Sequence, residues 1–190
     1  IEAVKQFARL DAARFRLRDS LRAQELAQLI KNFPSAYIEA GMIHYSLWQL
    51  LRQKLSSPDR LKLIFLANDA LKPSERKQNL YGPGDQLTLM YVFKPNITQP
   101  NREALLAARS LIYSKLMLKE ELTDDLSAMP HLHHELACIQ ITRELSLKDC
   151  RHLFPLIRRV STGQAHRIVA EYVTGSKSSK IDLSKAFLEN

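Results

Sequence analysis

Prolines constrain this chain more than any other feature. Each one removes a backbone donor and fixes φ, so helices start or stop beside it. Between Pro34, Pro58, Pro73, Pro83, Pro95, Pro100, Pro130 and Pro155, most stretches carry apolar residues at spacings of three and four. That pattern predicts short helices joined by short breaks. Leu87, Leu89, Tyr91 and Phe93 alternate as a strand would, but no second stretch could pair with them, and a lone strand cannot satisfy its own backbone. They are read as a short helix. The expected fold is all-α, a superhelical bundle of about eight helices with a C-terminal helical extension. The expected division is a helical domain over 1–130 and an extension over 131–190.

In chain order, Phe7, Leu10 and Leu17 predict the apolar face of a first helix whose polar side carries Arg9, Arg14, Arg16 and Arg18. Asp19 or Ser20 is the expected cap of a second helix, ended by Pro34. Ser35 is the expected start of a third, running through Ile38, Met42 and Ile43 to Leu51 and carrying Trp48, the chain's one tryptophan. Asn101 is the expected cap of a helix with Leu105, Ala108, Leu111 and Ile112 inward. Ser146 and Asp149 have the spacing of a capping box opening a later helix.

The 190 residues carry a formal charge of +8, unevenly spread. Residues 1–80 hold 14 Lys/Arg against 8 Asp/Glu and residues 131–190 hold 9 against 6, whereas residues 81–130 hold 5 against 6. Basic ends favour anionic partners such as RNA or phosphorylated peptide. Nothing approaches the roughly 20 apolar residues of a membrane span, and the first residues are charged rather than signal-like, so no membrane partner is expected. Two cysteines are too few for a disulfide framework, and a reducing compartment is expected.

Within Arg60 to Lys77, RLKLIFLANDALKPSERK, an apolar run is interrupted by Asn68 and Asp69. β-Branched residues are scarce and the run is long, so a helix closed by Pro73 is expected. An amide and a carboxylate in such a run must be hydrogen-bonded or form a binding site. The helix dipole does not favour a carboxylate near a C-terminus, which argues for a specific partner at Asp69.

The segment Trp48 to Lys77, WQLLRQKLSSPDRLKLIFLANDALKPSERK, resembles the CTD-interacting domain, the module that reads the C-terminal heptad repeats of RNA polymerase II. The likeness rests on a Trp some twenty residues before the FLAND core, and it extends to SAYIEAGMIH at 35–44 and to Ala108-Arg109-Ser110-Leu111. The resemblance implies a right-handed superhelix, a nuclear location and a non-enzymatic adaptor in transcription or RNA processing. It assigns Asp69 to a peptide tyrosine hydroxyl, Asn68 to the peptide backbone and Arg109 to a phosphoserine. Phe65 stands where the family has a groove tyrosine, and Pro73 where it has a polar residue.

The alternative is a basic helical nucleic-acid-binding or regulatory protein. Ser146 to Val173 reads as a helix-turn-helix offering Gln164, His166 and Arg167 to a major groove, with Arg158 and Arg159 adding charge. On a helix, His131, His134 and Cys138 would share a face, with donor types that zinc accepts. Cys150 and His152 are two residues apart and make no matching pair, so neither a metal nor another cofactor is expected. There is no Gly-rich phosphate loop, G-x-S-x-G or H-E-x-x-H, and lone His44 reads as core or cap, so an enzyme is not expected.

Overall fold

The computed structural model describes residues 1–57, 60–71, 80–96, 98–119 and 129–176. Pro58, Pro73, the Thr123-Asp124-Asp125 break and residues 177–190 lie outside the described residues. Those described are all-α. They form α1 (Glu2–Leu29), a 3-10 turn (Ile30–Asn32), α2 (Tyr45–Lys54), α3 (Leu66–Ala70), α4 (Pro83–Phe93), α5 (Pro100–Leu116), α6 (Pro130–Glu144), α7 (Leu147–Ile157) and α8 (Thr162–Ser176). No strand occurs among them, and none of their helices is long and apolar enough to cross a membrane.

The chain forms two compact units, one of residues 1–5, 80–87 and 99–190 and the other of residues 6–79 and 88–98. In the first, α5 packs against α6, α7 and α8, and α7 packs on α8. The core between them includes Ile112, Leu116, Cys138, Ile141, Leu153, Ile157 and Val169, all nearly inaccessible. The expected boundary at 130 falls at the first residue of α6, inside this unit. Ser146 Oγ accepts from the Asp149 amide while the Asp149 carboxylate accepts from the Ser146 amide, the capping box that the spacing predicts. Pro155 lies inside α7, which ends two residues later.

In the second unit, α1 runs unbroken through Asp19, so no second helix begins there. Its buried face is Ala8, Ala12, Phe15, Asp19, Ala23 and Ala27, whereas Phe7, Leu10 and Leu17 are 67%, 66% and 63% exposed. The expected inner face is therefore the outer one. Small alanines let neighbouring elements approach closely, and Ala23 and Ala27 pack with Leu47 and Leu51 of α2. Asp19, 0% exposed, caps neither that helix nor another: its carboxylate accepts from Ser46 Oγ and pairs with His44 Nδ1 at 2.6 Å, both side chains at the start of α2, and α2 has no side-chain cap on its backbone. A negative charge there complements the helix dipole.

Two other expected helices differ. Residues 35–40 have no regular structure, and α2 begins only at Tyr45 after His44. Residues 61–65 are also irregular, leaving a five-residue α3. In that run Leu61 and Phe65 are half-buried while Leu63, Ile64 and Leu66 are exposed. A short helix without a continuous buried stripe has little to stabilise it. Asn101 lies within α5 and does not cap it: Gln99 precedes the helix, Pro100 opens it, and the Gln99 amide donates to Glu103 Oε1. Leu87 to Phe93 is helical, as expected, with the helix opening at Pro83.

Candidate functional site

Residues of 36–51 and 60–67 in the second unit enclose a cleft of about 490 Å³. One wall comes from α2, where spacings of three place Tyr45, Trp48 and Leu51 along the cleft. Arg60 and the irregular run at 61–65, including Lys62 and Phe65, also line it. Because that run is not helical, its exposed cations and half-buried Phe65 share one apolar-walled space. The Tyr45 and Trp48 rings lie 5.2 Å apart, and Tyr45 meets Phe93 edge-on at 6.1 Å. Arg52, one turn after Trp48, holds its guanidinium carbon 5.0 Å from the indole centroid. Trp48 Nε1 is buried and has no hydrogen-bond acceptor among the described residues. A buried donor without an acceptor costs about 1–3 kcal/mol.

Of the residues expected to bind peptide, Phe65 lines this cleft in an extended conformation, at φ −92° and ψ 103°, and its carbonyl accepts from the Asn68 amide. Asn68 is half-buried in α3. Asp69 belongs to α3, but its side chain lies outside the described residues. Arg109 belongs to the other unit. There its Nε donates to the Leu145 carbonyl at 2.8 Å and its Nη2 to the Arg143 carbonyl at 2.6 Å, so it closes the C-terminal end of α6. Burial lowers its pKa from the ordinary value.

The segment read as a helix-turn-helix is α7, a turn at 158–161 and α8. Arg158 and Arg159 are exposed in the turn and Arg167 is exposed on α8. Gln164 is used locally, its amide donating to Ser161 Oγ while its Oε1 accepts from the Ser161 amide. His166 corrects the expectation of a groove contact. It is 9% exposed, and its Nε2–H donates to the Leu116 carbonyl, which holds the ring inside the core.

The same burial brings His166 to two zinc-type donors from α6. His134 and Cys138, one turn apart, place Nε2 and Sγ at 3.7 Å, and the His134 and His166 rings stack at 5.4 Å with an 11° tilt. His131 is exposed and outside this cluster, Cys150 is in the core, and His152 lies outside against Tyr172 at 5.4 Å. Burial, then the neighbouring His166, lowers the His134 pKa to about 4; burial, then Glu135, pushes the Cys138 thiol up to about 12. Residue spacing shows the His134–Cys138 pair but not its third member. The signal for that member is phase: His166 falls beside Ala165, Val169 and Val173 on the buried face of α8.

Comparison with known proteins gives no matching family and no matching solved structure. An uncharacterised protein of the archaeon Archaeoglobus fulgidus is 31% identical to this chain over 160 residues, 81% of the chain. The chain spans about half of that relative, 51% of its length.

Proposed function

We propose that this chain is a non-enzymatic recognition module that holds an extended peptide in the cleft of residues 36–51 and 60–67. The observation that carries this reading is the apolar-walled cleft edged by Arg60 and Lys62 and lined by Trp48, whose Nε1 is a buried donor without a described acceptor. A peptide carbonyl would supply the acceptor once the indole turns its N–H edge into the cleft, apolar side chains would fill the space beside Tyr45 and Phe65, and acidic or phosphorylated residues would meet the cations. In its finer form the ligand is the Tyr-containing repeat of RNA polymerase II, read in nuclear transcription or RNA processing. That form rests on the FLAND likeness around Asn68 and Asp69.

Calorimetry with heptad-repeat peptides, phosphorylated and unphosphorylated, tests the reading. Binding is expected, and Trp48→Phe, which keeps a ring and removes the N–H, weakens it roughly tenfold. Asp69→Ala removes heptad binding in the finer form. Absence of binding to every such peptide refutes both.

A second reading rests on the helix-turn-helix of α7 and α8 with Arg158, Arg159 and Arg167 exposed on it. Those cations suit the phosphates of RNA or DNA. The Arg158→Ala/Arg159→Ala variant tests it.

A further inference from the structure

We propose that His134, Cys138 and His166 bind a divalent transition metal of the zinc class, which ties α6 to α8. Their donor atoms all lie within 4.8 Å of one another, and His134, Cys138 and His166 are 8%, 0% and 9% exposed. Zinc bonded to nitrogen at about 2.0–2.1 Å and to sulfur at about 2.3 Å separates tetrahedral ligand atoms by about 3.3–3.6 Å. The 3.7 Å between His134 Nε2 and Cys138 Sγ is already near that spacing, so shifts of about an ångström complete the set. Two imidazoles and a thiolate suit zinc better than the oxygen-seeking calcium or magnesium.

The surroundings support the assignment. His134 and Cys138 are on one face of α6 through their i,i+4 spacing, so one helix positions two ligands. The bond from His166 Nε2–H to the Leu116 carbonyl fixes that ring's tautomer and directs Nδ1 to the metal, as outer-shell acceptors do for metal-bound histidines. Binding converts the Cys138 thiol to a thiolate bonded to the metal, its proton passing to solvent, with no change of oxidation state. Water completes the tetrahedron.

The test is a titration of the full chain, stripped with a chelator, with Co²⁺ alone as a spectroscopic stand-in for zinc. One equivalent is expected to give the visible bands of a tetrahedral site and a thiolate-to-cobalt charge-transfer band, both displaced by Zn²⁺. Cys138→Ser is expected to abolish the charge-transfer band, and His166→Ala to weaken Co²⁺ binding by roughly tenfold or more. Cys150→Ser and His133→Ala are expected to leave both spectrum and affinity unchanged. A spectrum without thiolate character, as exposed histidines would give, overturns the proposal, and so does a charge-transfer band lost in Cys150→Ser. If Cys138→Ser fails to fold, Cys150→Ser still decides. The chain has two cysteines, so a one-equivalent thiolate band retained there comes from Cys138, and its absence refutes the site.

Discussion

Asp19 is fully buried in the middle of α1, where a carboxylate has no intrahelical use. It remains there because Ser46 and His44 meet both of its oxygens, and because it faces the start of α2. His44 also rests on Phe15, the ring centroids 4.7 Å apart, so one carboxylate orders the entry to the cleft-forming helix. Removing it leaves the buried Ser46 hydroxyl and the half-buried His44 ring without this acceptor. Asp19→Ala is expected to destabilise the protein by roughly 2–4 kcal/mol, with Asp19→Asn intermediate, read as a lower urea midpoint of the Trp48 fluorescence transition. Asp19 reads from the sequence as a cap, since Asp accepts from helix-start donors, but it lies inside α1 and binds two side chains instead. What the sequence hides is that its partners lie some twenty-five residues further along, joined to Asp19 only by tertiary packing.

At the scale of elements, the two faces of α1 behave in opposite ways. Phe15 is 7% exposed within an alanine-lined face, whereas Leu10 and Leu17 are mostly in solvent. Phe15→Ala is expected to cost about 3 kcal/mol. Leu10→Glu and Leu17→Glu are expected to change stability by no more than about 0.5 kcal/mol, and matched chemical denaturation curves separate the cases. Periodicity identified the helix, but hydrophobicity chose the wrong stripe, because the available space favours alanine over leucine there. The capping box of Ser146 and Asp149 was readable for the converse reason: both partners lie within four residues, and the tertiary contact to Asp149, from the Tyr172 hydroxyl, takes its other oxygen. The run at 61–65 was misread because composition favours a helix, while burial selects only Leu61 and Phe65. Phe65 lines the cleft, and the cleft's Tyr45 and Trp48 follow from where α2 begins.

For the whole molecule, charge and connectivity matter most. The basic excess over residues 131–190 includes Arg158, Arg159 and Arg167, exposed around the second helix-turn. If these cations contact phosphates, removing Arg158 and Arg159 is expected to reduce the slope of log affinity against log salt by about 2, uniformly across sequences. Fluorescence anisotropy at several salt concentrations measures this. The all-α class was legible throughout, because proline spacing and periodicity are local. The partition into units was not, since it depends on which distant segments pack together. Residues 1–5 and 80–87 belong with 99–190, while 6–79 belongs with 88–98, and the handover at 87/88 falls within α4. No single cut in the polypeptide therefore yields both units whole. A fragment ending at 98 keeps the cleft unit but strands residues 1–5 and 80–87, and a fragment beginning at 99 lacks those same pieces of its own unit. Trimming this protein into independently folding parts requires splicing and rejoining segments rather than truncating either end.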